Sequence, residues 1–370
     1  MVGSANSAPP FHAEHIGSLL RPDEQRRAFR ELSKGEITAD QFRAVQDQCI
    51  RDVVGMQEDI GLQVVTDGEF RRTTYISHFV ESVEGLEFAP SSFRFYDTVG
   101  GEHDFVGPQC VGKIKRVKSN SGEEFDFLKT LTDRTPKMTL PSPATMHFLG
   151  GANPPPAEAY ADVDEFFSDL AAAYEEDIAD LAARGARYVQ IDDVPFPMLC
   201  DPALRGQLEQ RGIDPENLLD QYIELTNAAV RNRPEGVTAA LHLCRGNLKG
   251  TWLSQGGYEA VARKLFQQLE VDAFLLEYDT ERAGGFEPLA EMPDDKFVVL
   301  GLISSKLSEM EDTDAVKARI DAASKFIPLD RLGLSPQCGF SSAVAGNPVT
   351  IDDQKAKLQM VVDIAADVWG

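Results

Sequence analysis

Long apolar runs are absent from this chain of 370 residues. No stretch approaches the roughly 20 consecutive apolar residues that a membrane-spanning helix needs, so we expect no membrane-embedded segment. The N-terminal residues have neither a basic segment nor an apolar core, and we do not expect them to act as a secretory signal. Residues 1–10 are interpreted as a disordered lead-in.

Positive charge is also in short supply. Lysine and arginine number 36 against 60 aspartates and glutamates, which gives a formal net charge of -24. A balance this acidic argues against nucleic acid or an anionic membrane surface as a partner, because both carry negative charge.

Cysteines number only five, and their spacing matches no disulfide framework. Scattered reduced thiols are typical of a cytosolic protein, so we predict a cytoplasmic location. Cys49, Cys110 and Cys200 are interpreted as passive thiols. Cys244 and Cys338 differ, since each ends an apolar run and is followed by glycine within two residues.

Short apolar runs alternate with helical patterns along the chain. There are eight such runs, near residues 15–17, 62–69, 136–143, 188–195, 237–244, 273–278, 296–304 and 331–338. Eight alternations predict an α/β fold, a (β/α)₈ TIM barrel that spans residues 1–370 as one domain. A doubly wound sheet would need a glycine-rich phosphate turn after its first strand, and residues 16–22 contain none.

One segment interrupts this rhythm. Residues 83–135 are rich in aromatic residues and glycine, and they are too long for an ordinary connection between a strand and a helix. We interpret them as an inserted hairpin over the mouth of the barrel, either a lid or a contact in a homodimer.

Polar side chains follow the carboxyl ends of the predicted strands, where barrel active sites form. His242 and Cys244 are expected on one face of a strand, because strand side chains alternate. With Cys338 they would supply an imidazole and two thiolates, a set that suits Zn²⁺. The carboxylate of Glu277 can complete the tetrahedron. Zinc that carries two thiolates is a poor Lewis acid, but it still lowers the pKa of an incoming thiol. The pattern therefore predicts a zinc site that activates a thiol.

A structural zinc site, or two unrelated buried cysteines, is the alternative. A structural site normally uses four closed Cys or His ligands that lie close together in sequence. Ligands on separate strands at a barrel mouth favour catalysis instead.

In their order, the motifs resemble the cobalamin-independent methionine synthase family, specifically its C-terminal catalytic barrel. The matching segments are IGS (16–18), DGEFRR (67–72), PSPATM (141–146), QIDDVP (190–195), HLC (242–244), LEY (276–278) and PQCGF (336–340). They cover essentially the whole chain, which looks like a stand-alone barrel without the family's duplicated N-terminal half.

The resemblance implies a methyltransferase that moves a methyl group to a zinc-bound thiol, with homocysteine giving methionine as the expected reaction. It implies Zn²⁺ held by His242, Cys244, Glu277 and Cys338, with Glu277 as the labile ligand.

The resemblance also implies a site for the amino-acid part of the substrate. Ile16 and Ser18 match positions that cradle the carboxylate, and Glu69 and Asp192 match carboxylates that grip the amino group. Two carboxylates at adjacent strand ends suit a small ammonium ion. The structural alternative for this acidic pair is an ion pair with an arginine, namely Arg71, Arg72 or Arg245.

Departures from the family pattern leave the methyl donor open. The family's tryptophan near the third strand is missing, and Phe148 is the aromatic residue offered there. Lys306 stands where the family has a histidine after its seventh strand. We predict a methylated folate, a methylated corrinoid protein or another small carrier as donor. His147, Lys306 and Asp193 are the candidate acids for the leaving group.

Two alternatives remain. Relatives that join epoxides to coenzyme M keep the zinc chemistry, and the sulfonate would then need a cation such as Arg21, Arg71, Arg72 or Arg245. A metal-free barrel resembling uroporphyrinogen decarboxylase would need arginines for its tetrapyrrole and has no use for His-x-Cys.

Overall fold

The computed structural model describes residues 8–96 and 101–370. The strands in chain order are β1 (Val64–Val65), β2 (Val83–Tyr96), β3 (Glu102–Arg116), β4 (Thr135–Pro141), β5 (Tyr188–Asp193), β6 (Thr238–Leu243), β7 (Ala273–Glu277), β8 (Phe297–Ile303) and β9 (Leu332–Pro336). Strands β1 and β4 to β9 form one seven-stranded sheet in that order, and each neighbouring pair is parallel. Strands β2 and β3 form a separate antiparallel hairpin.

Helices connect the parallel strands. They are α1 (Asp23–Ser33), α2 (Ala39–Ile60), α3 (Ser77–Ser82), α4 (Gly122–Leu128), α5 (Pro143–Phe148), α6 (Val163–Arg184), α7 (Pro195–Met198), α8 (Pro202–Gln210), α9 (Pro215–Val230), α10 (Ala262–Gln268), α11 (Thr313–Ala323) and α12 (Ile351–Trp369). Short 3₁₀ turns cover Tyr258–Ala260, Glu281–Ala283, Glu287–Glu291 and Leu329–Arg331. The predicted α/β fold of the barrel type is confirmed.

Local signals account for the ends of the long helices. Thr38 opens α2 with a capping box, and Gly61, at a φ of 99°, ends it. Asp162 caps α6, and Gly185 ends it at a φ of 109°. Within the described residues, none of the helices combines the length and apolar character needed to cross a membrane.

The strand predicted near residues 15–17 is present only as an isolated β-bridge. Ala13 makes a single parallel bridge to Leu334 of β9, with Glu14 N donating to Leu334 O at 2.9 Å. On the other side, Leu19 N donates to Gly68 O at 3.1 Å, just beyond β1. The extended segment ends at Gly17, whose φ is 126° and whose Cβ, if present, would lie 2.6 Å from Thr139 Cγ2. This N-terminal segment therefore lies between the first and last strands of the sheet.

Two layers of apolar side chains surround the sheet. The inner layer fills the barrel and consists of Phe11, Ile16, Val64, Tyr188, Ala240, Ala273, Leu275, Phe297 and Val299. The outer layer, far larger, lies between the strands and the helices. Because side chains alternate along β6, His242 falls on the same face as the inner residue Ala240.

The β2–β3 hairpin, from the segment predicted as an insertion, packs beside α5 and α6. Arg116 of β3 pairs with Asp177 of α6 at 2.7 Å, and both side chains are largely buried. Gly107 comes so near to α5 that a Cβ there would lie 2.4 Å from Leu149 O. Only glycine fits this approach, which places the neighbouring residues of β3 at the mouth of the barrel.

Candidate metal centre and active site

A cavity of about 300 Å³ opens at the carboxyl ends of the parallel strands. Its polar lining comes mainly from strand ends, and its apolar lining from the hairpin and the following loops. Lining residues include Ile16, Ser18, Glu69, Tyr75, Ile76, Phe105, Val106, Leu149, Asp192, Val194, His242, Cys244, Leu253, Cys338 and Gly339.

Three predicted metal ligands come together on this cavity. His242 and Cys244 lie at the end of β6, and Cys338 follows β9. Their ligand atoms all lie within 4.8 Å of one another, and the two sulfurs are 3.3 Å apart. All three side chains are buried. Residues nearly a hundred positions apart in sequence thus form one compact donor set.

The orientation of His242 suits a metal ligand. Its Nδ1 lies 3.2 Å from Leu275 O, a carbonyl that can only accept, so Nδ1 carries the hydrogen. Its Nε2 is buried and has no hydrogen-bond partner among the described residues. A buried nitrogen without a partner is costly, and a lone pair directed at two thiols is typical of a metal site. The donor set therefore fits a soft or borderline metal ion such as Zn²⁺.

The two cysteines share one hydrogen bond between their sulfurs. This bond, together with the nearby His242 and Lys306, holds the pKa of Cys338 well below its usual value. The same bond and burial raise the pKa of Cys244. The pair thus favours one thiolate, and a bound metal ion would stabilise a second.

Glu277 lies at the end of β7 but is engaged elsewhere. Its Oε1 accepts from Arg282 Nη2 at 2.7 Å, and its Oε2 accepts from Arg245 N at 3.0 Å. Burial alone would raise the pKa of Glu277, but Lys306, Arg282 and Arg245 lower it to about 2. The compact donor set in the described structure contains the histidine and the two cysteines without this carboxylate.

The four predicted contacts for the amino-acid part of the substrate all line the cavity: Ile16, Ser18, Glu69 and Asp192. Gln190 Nε2 donates both to Ile16 O at 2.6 Å and to Asp192 Oδ1 at 2.7 Å, which ties the two sides of the site together. Burial and the nearby Glu69 raise the pKa of Asp192 to about 7, although His242 opposes this. A bound ammonium ion would favour the ionised form of this carboxyl.

Glu69 is held by neighbours in β4 and in its own turn. It has a φ of 60°, which is unusual for a residue other than glycine. Its Oε1 accepts from Thr139 Oγ1 at 2.8 Å and lies 4.0 Å from Arg72 Nη1. The predicted alternative, an ion pair with an arginine, thus coexists with a position on the cavity. Asp192 makes no such ion pair among the described residues.

The three candidate acids do not line this cavity. His147 lies between Tyr222 Oη, 2.8 Å from Nδ1, and Asn153 O, 3.0 Å from Nε2. Burial lowers its pKa to about 4, so the ring is neutral. It borders a separate cavity of about 160 Å³ beneath the hairpin.

Asp193 and Lys306 are likewise engaged in structural contacts. Ser142 Oγ donates to Asp193 Oδ2 at 2.5 Å, and Phe196 N donates to its Oδ1 at 2.7 Å. Strand alternation explains this placement, because Asp192 faces the barrel interior and Asp193 therefore faces outward. Lys306 Nζ donates to Gly246 O at 3.1 Å and lies 3.7 Å from Glu277 Oε1.

The arginines proposed as sulfonate ligands are also occupied. Arg21 Nη2 donates to Glu69 O and Arg72 O, each at 2.7 Å. Arg71 pairs with Asp47 at 2.6 Å. Arg72 and Arg245 are fully buried. Arg72 donates to Glu124 and Thr139, and Arg245 donates to Gly256 O and Tyr258 Oη. In the described part of the chain, neither lysine nor arginine lines the cavity.

Sequence reasoning missed several lining residues. Tyr75 follows the DGEFRR motif, and Phe105 and Val106 come from the hairpin. Their only signal was proximity to a motif or to the inserted segment. Phe148, the aromatic residue offered for the donor, is fully buried and stacks on Phe93 with ring centroids 4.7 Å apart. It does not face the cavity.

Residues 11–367 match the family described as "Cobalamin-independent synthase, Catalytic domain". The chain belongs to this family. The predicted resemblance and the assignment as an enzyme of this methyltransferase class are confirmed.

Relatives of similar length include the uncharacterized protein YxjH of Bacillus subtilis (strain 168), which is 40% identical over 97% of this chain and 95% of its own length. A candidate vitamin B12-independent methionine synthase from Listeria monocytogenes has a solved structure with a TM-score of 0.78 and 35% identity, covering 99% of this chain and all of its own.

A longer relative is the 5-methyltetrahydropteroyltriglutamate–homocysteine methyltransferase of Rhodococcus jostii (strain RHA1). It is 25% identical over 98% of this chain, which spans only 44% of that protein. The fold is also shared with a B12-independent methionine synthase from Shewanella sp. W3-18-1, solved in complex with selenomethionine, at a TM-score of 0.71 and 19% identity.

Proposed function

We propose that this protein is a zinc-dependent methyltransferase that transfers a methyl group to the thiol of homocysteine and forms methionine. The observation that carries the proposal is the His242, Cys244 and Cys338 donor set at the floor of a cavity that also holds a carboxylate pair. When bound, the zinc ion would lower the pKa of the acceptor thiol and hold it as a nucleophilic thiolate.

The chain's own residues would orient the acceptor. Glu69 and Asp192 would bind the ammonium group, and the chain around Ile16 and Ser18 would receive the carboxylate. The apolar wall, which includes Phe105 and Val106 of the hairpin, would exclude water from the reacting thiolate. The carbon of the methyl group would be attacked in line, and the donor would leave with the electron pair of its broken bond.

Two features disfavour coenzyme M as the acceptor. A sulfonate needs a cation, and neither lysine nor arginine lines the cavity in the described residues. The acidic pair would also repel it. The same lack of arginine disfavours a metal-free barrel that binds tetrapyrrole carboxylates. The methyl donor stays open between a methylated folate, a methylated corrinoid protein and a small carrier, and a cytoplasmic location stays a prediction.

Zinc K-edge X-ray absorption with and without L-homocysteine tests this proposal. We expect one zinc ion per chain, with two sulfurs in its shell that increase to three when homocysteine is added. An unchanged shell would remove homocysteine as acceptor, and a protein without zinc would overturn the proposal as a whole.

A matched pair of variants distinguishes the loss of a metal ligand from the general effect of replacing a buried cysteine. Cys244→Ser should lose most bound zinc. Cys49→Ser is the control, because Cys49 is buried in α2 and is not part of the donor set. Its sulfur lies 3.4 Å from Glu24 Oε1, a contact that a serine hydroxyl can replace. It should retain full zinc content.

A further inference from the structure

One side chain joins the two loops that carry the cysteines of the donor set. Asn247 lies three residues after Cys244, and its Nδ2 donates to the carbonyl oxygen of Gly339 at 2.7 Å. Gly339 directly follows Cys338 in the chain. A carbonyl oxygen can only accept, so the amide nitrogen of Asn247 faces it. Through this bond the two loops form a closed ring, whose remaining gap is the 3.3 Å between the two sulfurs.

The turn between Cys244 and Asn247 depends on Gly246. Its φ is 93°, and a Cβ at this position would lie 2.7 Å from Leu253 N. The side chain of Asn247 is buried, with 6% of its residue surface exposed. Water therefore cannot readily replace its hydrogen bond, and breaking the bond would leave buried polar groups without a partner.

The carbonyl oxygen of Gly339 receives further support from two other loops. Ser305 Oγ, after β8, donates to it at 3.0 Å. Asn347, after β9, donates through Nδ2 to Ser305 O at 2.9 Å and lies 3.4 Å from Gly339 O. Its Oδ1 accepts from Gly250 N at 3.2 Å. The loops after β6, β8 and β9 therefore meet at this one carbonyl group.

The opposite side of the same segment packs on the N-terminal chain. A Cβ at Gly339 would overlap Ser18 Oγ, so no side chain fits there. Phe340 N donates to Ser18 O at 2.9 Å. The chain that carries Cys338 is thus held between Ser18 on one side and the amide of Asn247 on the other.

We propose that Asn247 is a positioning residue for the metal centre, and that it fixes the spacing of the Cys244 and Cys338 thiols with help from Ser305. Donor atoms that are already held together lose less conformational freedom when they bind an ion, so the ion binds more tightly. The zinc part of this inference rests on the proposed function. The spacing of the thiols does not.

Zinc affinity is measured first, by competition with a chelator on the full chain. Asn247→Leu removes the amide and keeps a branched side chain of similar size. It should bind zinc about tenfold more weakly, as is common when a residue that orients a ligand is lost. Ser305→Ala removes only one hydroxyl and should weaken zinc binding to a smaller extent. It decides the question alone if Asn247→Leu does not fold. Zinc affinity equal to that of the natural protein would overturn the inference.

Asn227→Leu is the matched control. Asn227 is buried on α9, and its Nδ2 donates to Gln268 O at 2.8 Å, which is the same kind of bond outside the lining of the cavity. This variant should lower the free energy of unfolding in urea and still bind zinc like the natural protein. An equal loss of zinc affinity in Asn227→Leu would show a general effect of destabilisation and would overturn the role of Asn247.

Phenylarsine oxide then reports the spacing of the thiols without any metal. It forms two arsenic–sulfur bonds with a pair of neighbouring thiols and releases one water, while the arsenic stays trivalent. The chelator-treated natural protein should bind one equivalent, and Cys244→Ser should bind none. Asn247→Leu should bind the arsenical more weakly than the natural protein, whereas Asn227→Leu should match it.

The two readouts separate the inference from the proposed function. A natural protein that binds the arsenical but no zinc would contradict the proposed function, and the comparison with Asn247→Leu would still decide the positioning role. Equal arsenical affinity in Asn247→Leu, or a natural protein that does not bind the arsenical, would show that Asn247 does not hold the two thiols together.

Discussion

Thr139 donates its hydroxyl hydrogen to Glu69 Oε1 across 2.8 Å and accepts one from Arg72 Nη1 across 2.9 Å. Arg72 is in turn fixed by Glu124 of α4 at 2.9 Å. Thr139 therefore links the buried ion pair of Arg72 and Glu124 to Glu69, whose carboxylate faces the cavity. Charge-assisted hydrogen bonds of this kind are stronger than neutral ones, which makes the orientation of Glu69 well defined.

Thr139→Val removes this hydrogen bond while keeping the shape of the side chain. We expect KM for homocysteine to rise about tenfold, because a hydrogen bond to a charged group contributes roughly 1.5 kcal/mol or more. The kcat should change little, since the metal set is untouched. Thr135→Val, at the opposite end of β4, is the control and should leave both constants unchanged. A fall in kcat alone would contradict the role in binding.

Tyr75→Phe tests a lining residue that the motifs did not identify. Burial, with the negative charge of Asp192 and Asp193 nearby, raises the pKa of Tyr75, so its phenol stays protonated and can donate. We expect kcat to fall about tenfold through loss of this donor, with metal content unchanged.

Tyr278→Phe is the control for that variant. The Tyr278 hydroxyl is buried and has no hydrogen-bond partner in the described structure, and its ring lies 4.8 Å from that of Phe286. Removing this hydroxyl should leave kcat unchanged. Equal effects of the two variants would show that the loss at Tyr75 is not local.

His147 should make stability depend on pH. Burial lowers its pKa to about 4 in the folded state, against roughly 6.5 in the unfolded chain. Between these values the unfolded state binds the extra proton, so stability is lost as pH falls from about 6.5 toward 4. Urea unfolding at pH 7 and pH 5 should show a smaller loss in His147→Gln, by on the order of 2 kcal/mol. Identical losses in the two proteins would contradict this assignment.

Lys137 and Glu14 form an ion pair at 3.0 Å inside the barrel, with no exposed surface on either side chain. Tyr188 Oη also donates to Glu14, at 3.0 Å. Lys137→Met would leave Glu14 as a buried charge without its cation and should destabilise the fold by roughly 3–5 kcal/mol in urea unfolding. The double variant Glu14→Gln with Lys137→Met should recover most of this loss. A double variant as unstable as the single one would show that packing, and not charge, is responsible.

The strands of the barrel could be predicted because parallel strands buried on both faces are continuous apolar runs. That His242 and Cys244 lie together could be predicted because side chains alternate along β6 and bring both to one face. The extent of β1 could not. Residues 62–69 look like one strand, but Thr66 Oγ1 and Asp67 Oδ1 accept from Gly68 N and Glu69 N at 3.2 and 2.8 Å and turn the chain after Val65.

The hydrogen-bond and ion-pair partners of individual polar side chains could not be predicted from the sequence, for a different reason. His147 follows the third predicted strand closely, but the helical turn of α5 directs it toward Tyr222, which lies 75 positions later. The contacts of Glu277 could not be predicted either, because nothing in its motif revealed Arg282 and Lys306 beside it. Such pairings depend on how loops from different strands meet, and no local pattern encodes that.

The bridge between Ala13 and Leu334 joins segments from opposite ends of the matched region. Ile16 and Ser18 lie just after one side of it, and Cys338 just after the other. A ribosome must therefore synthesise nearly the whole of this region before the cavity exists, so a partly made chain can assemble neither the donor set nor the carboxylate pair of Glu69 and Asp192. Contacts between segments this distant in sequence are slow to form. We therefore expect the barrel to close late in folding, and the donor set to be complete only after that step.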